Sequence, residues 1–197
     1  TGKHPRHPGH LRRLMREISL HLLDLVQNSV TAGARLIEVS LVRETGGLLK
    51  MVILDDGRGM DKATLEAALS PFGTSRTTRK LGFGIPLTRE QALRTGGSLT
   101  LESTPGKGTR LEAVFDTTHI DCPPLGSLAD TLAGLVLANP DTPDFSLCLA
   151  SDRGQEELDT RLLKQTLDPV PVNTPEVALW LRGKLEEMTE NCFGGIA

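Results

Sequence analysis

The sequence is poor in aromatic residues, and this limits how it could bind nucleic acid. Aromatic side chains make up 3% of the 197 residues, with one Trp and no Tyr. The formal net charge is −3, so the chain has no overall basic field to attract a phosphate backbone. Since base stacking and backbone attraction are both weak, we predict no nucleic-acid partner.

Cysteines and long apolar runs are also scarce. The three cysteines, Cys122, Cys148 and Cys192, lie far apart and form no C-x-x-C pair, which argues against a zinc site or a disulfide framework. Reduced thiols are therefore expected. No apolar run approaches the roughly 20 residues that span a bilayer, and the first residues lack the apolar segment of a signal peptide. We predict a cytoplasmic protein with no membrane partner.

Periodic patterns organise the chain into two predicted domains after a disordered leader or cloning remnant at residues 1–13. In the first domain, residues 14–118, helices are predicted at 11–31, 61–69 and 84–94, and strands at 36–42, 48–54, 98–103 and 109–115. This order predicts an α/β fold, a two-layer sandwich with helices on one face of a mixed, mostly antiparallel sheet.

A small α+β unit of unknown role is predicted at residues 119–197. Its predicted elements are helices at 125–138, 157–167 and 175–189 and a strand at 145–150, with Thr174 capping the last helix. No catalytic constellation is found there. We expect this unit to recognise a partner protein or to couple a ligand state to an interface.

A polar pair is set into the first helix. Asp24 and Asn28 are four residues apart and so lie about one turn apart on one face. An amide oxygen can ligate Mg²⁺, and a carboxylate can hold or deprotonate water. The same spacing also fits an ordinary solvated polar face, and this pair alone does not decide between the two.

Two glycine-containing segments add to this pair. Asp55 ends the second strand and is followed by Gly57 and Gly59, which could let backbone approach a flat ring while the carboxylate accepts an amine. Gly82 and Gly84 precede a helix N-terminus, where free N–H groups favour anions. Each segment by itself is also typical of a simple turn.

A long loop at residues 70–81 lies between these two segments. It carries Arg76, Arg79 and Lys80, which are suitable phosphate partners or simply solvated charges. At twelve residues it has the length of a functional lid.

Four segments in this order resemble the GHKL (Bergerat-fold) ATPase superfamily of gyrases, histidine kinases and mismatch-repair ATPases. Residues 24–34 resemble the N-box helix, in the wording of the mismatch-repair members. Residues 55–59 and 71–84 resemble the two glycine boxes and the lid. Residues 96–109 are similar to the closing hairpin of histidine-kinase and anti-sigma-factor-kinase ATPase domains. The resemblance covers residues 14 to 116 and implies a Mg-ATP-binding domain.

The resemblance also implies roles for individual residues. Asn28 would ligate Mg²⁺, Asp55 would bind the adenine amino group, and Asp24 stands where hydrolytic members have a glutamate base. The remaining residues assigned to cofactor binding are Gly57 and Gly59 at the adenine pocket, Thr74, Lys80, Gly82 and Gly84 around the phosphates, and Thr109 at the adenine end.

Two departures from the family pattern affect the expected activity. Asp24 is one methylene shorter than glutamate, which predicts slow hydrolysis, and Pro86 has no N–H where kinases often have glycine. No phosphoacceptor-helix signature precedes residue 14. We therefore expect the chain either to hydrolyse ATP or to transfer its γ-phosphate to a separate protein. The alternative is a nucleotide-sensing regulatory module with negligible turnover that switches a protein interface. Both hypotheses imply a protein partner or substrate, with a homodimer as one arrangement.

Overall fold

The structure, a computed structural model, describes residues 17–70 and 84–194. Within these residues the helices are α1 (Ile18–Thr31), α2 (Lys62–Leu69), α3 (Gly84–Arg94), α4 (Leu128–Ala138), α5 (Thr160–Leu167) and α6 (Pro175–Phe193). The strands are β1 (Leu36–Arg43), β2 (Leu48–Asp55), β3 (Ser98–Thr104), β4 (Gly108–Asp116), β5 (Asp144–Ser151) and β6 (Gly154–Asp159). Apart from Ser70, the predicted lid lies outside the described residues.

All six strands belong to one mixed sheet in the order β3-β4-β2-β1-β5-β6. Only β1 and β5 are parallel neighbours, and the other four neighbouring pairs are antiparallel. A parallel pair needs a long crossover, which here contains β2, α2, α3, β3, β4 and α4. The predicted mixed, mostly antiparallel sheet is confirmed.

One face of this sheet carries the apolar core. Along β1, Ile37, Val39 and Leu41 are buried at alternate positions, because a strand points successive side chains to opposite faces. Leu22 and Val26 of α1 are fully buried in the same cluster. Burial of each such side chain stabilises the fold by roughly 1.5–3 kcal/mol.

The C-terminal residues continue this sheet and this core. The parallel pairing of β5 with β1 runs from Leu36 opposite Asp144 to Val42 opposite Ala150. Apolar residues of α6 belong to the same buried cluster as α1. The two domains predicted from the sequence thus share one sheet and one core, and their boundary at 118/119 stays a prediction about independent folding.

The predicted helix at residues 157–167 begins too early and is corrected by the structure. Residues 157–159 end β6, the edge strand that pairs with β5. Helix α5 begins only at Thr160, because the Asp159 carboxylate accepts the Arg161 N–H at 2.8 Å and caps the helix. The polar sequence of β6 gave no strand signal.

Other local predictions can be compared with the observed helix ends. Asp61 caps α2, as predicted, by accepting the Thr64 N–H at 2.8 Å. Gly33, with φ of 75°, follows the end of α1. Thr174 is the N-cap residue of α6, as predicted, but its hydroxyl makes no capping hydrogen bond and is buried without a partner among the described residues.

Among residues 17–70 and 84–194, no helix combines the length and the hydrophobicity that crossing a bilayer requires.

Candidate functional site

A cleft opens at the end of the sheet where β2 finishes and β4 begins, next to the last turns of α1. Four residues predicted from the sequence, Asn28, Asp55, Gly59 and Thr109, line it together. Its remaining walls are largely apolar, formed by Leu25, Ile53, Met60, Ile85, Leu101 and Leu111. Apolar walls with a few convergent polar groups suit a flat heteroaromatic ring.

Asp55 is the best-fixed polar group of this cleft. It is 6% exposed, and two donors hold its carboxylate. Oδ2 accepts the Ser29 hydroxyl at 2.6 Å, and Oδ1 accepts the Gly57 N–H at 2.9 Å. Each carboxylate oxygen has capacity for a second hydrogen bond, so the group can also accept an exocyclic amine.

Two glycines allow the backbone after Asp55 to pack directly on the β3–β4 hairpin. A side chain on Gly59 would collide with the Thr104 carbonyl, and one on Gly108 would collide with the Asp55 carbonyl. Both glycines have positive φ, 65° and 101°, which side-chain-bearing residues rarely adopt. The close approach fixes the floor of the cleft beside Asp55.

A serine on β3 organises the same end of the cleft. The Ser103 hydroxyl accepts the Met60 N–H at 2.8 Å and lies 2.9 Å from the Thr109 hydroxyl. It also donates to the Gly108 carbonyl at 2.9 Å. Ser103 therefore orients Thr109, the residue to which the family resemblance assigns the adenine end.

Asp24 and Gly84 lie against each other beside this cleft. A side chain on Gly84 would collide with the Asp24 carboxylate, and the next residue, Ile85, lines the cleft. Within the described residues no hydrogen bond reaches the Asp24 carboxylate, and burial raises the pKa of this group. Gly84 begins α3, and a helix N-terminus attracts phosphate through its free N–H groups.

Asn28 presents a side-chain amide to the cleft. Its Nδ2 is buried without a hydrogen-bond partner among the described residues, at a position that lines the cleft. Leaving a buried N–H donor unpaired costs roughly 1–3 kcal/mol, so a phosphate oxygen that accepts from Nδ2 would remove this cost and leave the amide oxygen for a metal ion. The described residues contain no group of three or more His, Cys, Asp or Glu able to hold a metal ion. Magnesium here would therefore rely on the Asn28 amide oxygen, with phosphate and water oxygens completing its shell.

His21, one turn before Asp24, ties α1 to α3. Its Nδ1 lies 3.0 Å from the Thr88 hydroxyl, and both residues are buried. Burial lowers the pKa of His21 to about 4, so the ring is neutral at pH 7. The contact helps fix α3, and with it Gly84, relative to the helix that carries Asp24 and Asn28.

The structure thus brings together two groups of residues predicted from the sequence. Asn28, Asp55, Gly59 and Thr109 line the cleft, with Gly57 bonded to Asp55, while Asp24 and Gly84 lie beside it. The predicted residues Thr74, Lys80 and Gly82 lie outside the described residues.

Ser29 and Ser103, the serines that bond to Asp55 and Thr109, were not predicted from the sequence. The position of Ser29 next to Asn28 is its only local signal. Ser103 had no local signal at all, because its partners come from two other segments.

The chain is similar in sequence to histidine kinases of Brucella species. The chain is 32% identical to the cell-division control histidine kinase PdhS of Brucella ovis over 120 residues, which is 53% of this chain and 12% of that protein. The PdhS protein of Brucella canis is 31% identical over 121 residues, 55% of this chain and 12% of the relative. The chain therefore spans only about an eighth of the length of these relatives.

Two solved structures also resemble the chain, both with low sequence identity and a TM-score under 0.5. The histidine kinase domain of a blue-light-activated kinase from Erythrobacter litoralis matches 52% of this chain and 45% of that chain, with 17% identity and a TM-score of 0.37. The N-terminal domain of a DNA repair protein matches 93% and 58%, with 15% identity and a TM-score of 0.48.

A family model described as "Histidine kinase-, DNA gyrase B-, and HSP90-like ATPase" matches residues 8–119, more than half of the chain. The match contains α1, β1 to β4 and the whole cleft described above. The chain therefore belongs to the histidine kinase-, DNA gyrase B- and HSP90-like ATPase family, with a histidine-kinase-like ATP-binding domain.

Proposed function

We propose that the chain binds Mg-ATP in this cleft and directs attack on the γ-phosphate, by water or by a side chain of a separate protein. One observation carries the proposal: the half-buried Asp24 carboxylate lies against Gly84 at the N-terminus of α3, about one turn from Asn28. A carboxylate, an amide and a helix N-terminus are then close enough to act on one phosphate chain.

In this proposal the base end of the cleft selects the nucleotide. The Asp55 carboxylate accepts the adenine amino group, while Ser29 and Gly57 hold it in place. The apolar walls cover the two faces of the ring, and the Thr109 hydroxyl, oriented by Ser103, contacts its edge. Because these groups are already bonded to one another, little ordering is needed when the base binds.

At the other end, Asp24 acts as the general base. Burial raises the pKa of its carboxyl, which brings it nearer the operating pH and makes the carboxylate a better proton acceptor. The proton of the attacking water or hydroxyl passes to a carboxylate oxygen of Asp24. Bound Mg²⁺ would supply neutralisation of charge on the phosphate oxygens, with the Asn28 amide oxygen as its protein ligand.

A specific observation also favours the second candidate, a regulatory module with negligible turnover. No hydrogen bond within the described residues orients the Asp24 carboxylate. A displacement of about 1 Å can reduce a catalytic rate on the order of a hundredfold. In this case nucleotide binding alone would switch a protein interface.

The experiment follows labelled γ-phosphate through one time course with Mg-ATP, counting free phosphate and protein-bound label. It compares the unaltered chain with Asp24→Asn and with Asp152→Asn, an exposed turn aspartate that serves as the matched control. Phosphate release that Asp24→Asn abolishes and Asp152→Asn preserves supports Asp24 as the base. Tight binding with an intact γ-phosphate supports the regulatory module instead, or a kinase tested without its substrate. Failure to bind ATP contradicts both candidates.

A protein partner, with a homodimer as one arrangement, and a cytoplasmic location are also part of this proposal. Deleting residues 119–197 would not show whether they bind a partner protein. Helices and strands of this part share the core and the sheet of the ATP-binding part, so the deletion would disrupt both. Sedimentation with and without Mg-ATP tests self-association directly. A surface substitution such as Trp180→Ser, at a side chain that is 52% exposed, probes α6 without opening the core.

A further inference from the structure

A second cleft lies at the opposite end of the sheet from the nucleotide site. We define it by Ile18, Arg43, Leu49, Cys122, Leu125 and Phe193, which line it. Leu49, at this cleft, and Asp55, at the nucleotide site, are six positions apart along β2, which amounts to about 20 Å along a strand. The two clefts therefore cannot share one small ligand.

Arg43 is the only charged residue among those that line the second cleft, and it has no hydrogen-bond partner among the described residues. Its Nε is buried with its donor unpaired, and no ion pair reaches its guanidinium within residues 17–70 and 84–194. A guanidinium stays charged at any physiological pH, so it cannot avoid this cost by losing a proton. A buried donor without an acceptor costs more for a charged group than for a neutral one.

Two carboxylates at the same end of the sheet as Arg43 are engaged with other partners. Glu44, the next residue, pairs with Lys50 at 3.4 Å. Asp116 accepts the Thr118 N–H at 2.9 Å and the Thr118 hydroxyl at 2.6 Å. Within the part of the chain that the structure describes, the planar Arg43 guanidinium therefore has no anionic partner, at a cleft whose other walls are mostly apolar.

We propose that the second cleft binds a small molecule with one carboxylate and a compact apolar body. The Arg43 guanidinium would donate to the carboxylate, a pairing for which its planar fork is suited. The side chains of Ile18, Leu49, Leu125 and Phe193 would cover the apolar body. This site is independent of the nucleotide site and of the proposed reaction there.

The test titrates the ¹⁵N-labelled full chain with benzoate and, separately, with benzamide, which has the same shape without the charge. Benzoate is expected to shift the amide signals of Leu49, Cys122 and Leu125 and to leave those of Asp55 and Gly57 in place. Benzamide is expected to bind at least about tenfold more weakly, because it lacks the charge-assisted hydrogen bonds.

Two variants of Arg43 and one control separate the charge from the shape of the cleft. Arg43→Met keeps the apolar stem and should weaken benzoate binding at least about tenfold. Arg43→Lys keeps the positive charge but lacks the planar guanidinium group. It keeps the proposal testable if Arg43→Met fails to fold. The affinity of Arg43→Lys for benzoate should fall between that of the unaltered chain and that of Arg43→Met. Arg182→Met, at an exposed position on α6, should bind benzoate as the unaltered chain does.

Three outcomes would overturn the proposal. The first is equal binding of benzoate and benzamide, and the second is benzoate binding unchanged in both Arg43 variants. The third is the absence of any shift near the second cleft, including the case in which benzoate perturbs only Asp55 and Gly57. None of these readouts depends on ATP, so a failure here leaves the proposed function untouched.

Discussion

The two ends of the cleft, to which the proposed function assigns the base and the phosphates, differ in how their polar atoms are held. At the base end, both Asp55 oxygens accept hydrogen bonds, and Ser103 joins Thr109 to the backbone of Met60. At the phosphate end, within the described residues, the Asn28 Nδ2 and the Asp24 carboxylate have no hydrogen bond.

Under the proposed function, this difference separates the end that recognises the ring from the end at which the phosphate reacts. A carboxylate held by two donors is ready to accept an amine, so the base end can select a ring with little rearrangement. Polar groups without partners are instead costly in the protein alone, and a ligand that engages them lowers this cost. We therefore expect substitutions at the base end to act on nucleotide affinity, and those at the phosphate end to act on magnesium dependence, turnover and stability.

The largest expected effect is at Asp55. Among the described residues, Asp55 is the only one that brings a carboxylate to the lining of the cleft. Asp55→Ala should weaken ATP binding at least about a hundredfold, because the buried amine is left without a charged acceptor. Calorimetric titration measures this affinity. Asp56→Ala is the matched control, since the neighbouring carboxylate accepts the Arg35 and Leu36 N–H groups outside the cleft. Retained affinity in Asp55→Ala would overturn the assignment of the base end.

The next effect is at Gly84. Gly84→Ala forces the Asp24 carboxylate to move and should lower the free energy of unfolding by about 1–3 kcal/mol, as overpacking does. Denaturant unfolding measures this loss. In an Asp24→Ala background the same substitution should cost much less, since the colliding group is gone. Gly183→Ala, in α6 with open space around its Cα, is the control and should stabilise by about 0.5–1 kcal/mol. Equal losses in both backgrounds would contradict the contact.

A smaller and more selective effect is expected at Asn28. Asn28→Ala should weaken ATP binding on the order of tenfold in the presence of Mg²⁺ and much less with a chelator present, because only the metal-dependent part uses the amide oxygen. Parallel titrations with and without Mg²⁺ measure the difference. Gln27→Ala, an exposed neighbour on α1, is the control. Equal weakening under both conditions would mean that Asn28 serves the pocket rather than the metal.

The smallest effect concerns stability and pH at Asp24. Because burial raises the pKa of Asp24, the folded chain takes up this proton at a higher pH than the unfolded chain does. The group's contribution to stability is therefore complete below its ordinary pKa of 3.8 and is lost as pH rises through the folded value. Asp24→Asn should melt slightly above the unaltered chain at pH 7, and the difference should shrink towards pH 3. A difference independent of pH would contradict burial as the cause.

Much of the nucleotide site could be predicted from the sequence because its signals are local. The spacing of Asp24 and Asn28, the glycines after Asp55 and the Asp61 cap depend on residues within one turn or one loop, so short patterns suffice. The edge strand β6 was not predicted because its polar sequence lacks the alternation of apolar and polar residues typical of a strand. Its hydrogen bonds to β5 hold it in the sheet.

The family was recognised from the resemblance of four sequence segments, while the two-layer fold and the order of elements from α1 to β4 followed from helical and strand periodicity and glycine placement, which are properties of neighbouring residues. Three features are visible only in the three-dimensional structure. Strands from residues 119–194 join the same sheet, Ser103 orients Thr109, and Gly84 packs on Asp24. The parallel pairing of β1 with β5 joins residues about a hundred positions apart. Such contacts depend on packing in three dimensions, which local patterns do not encode.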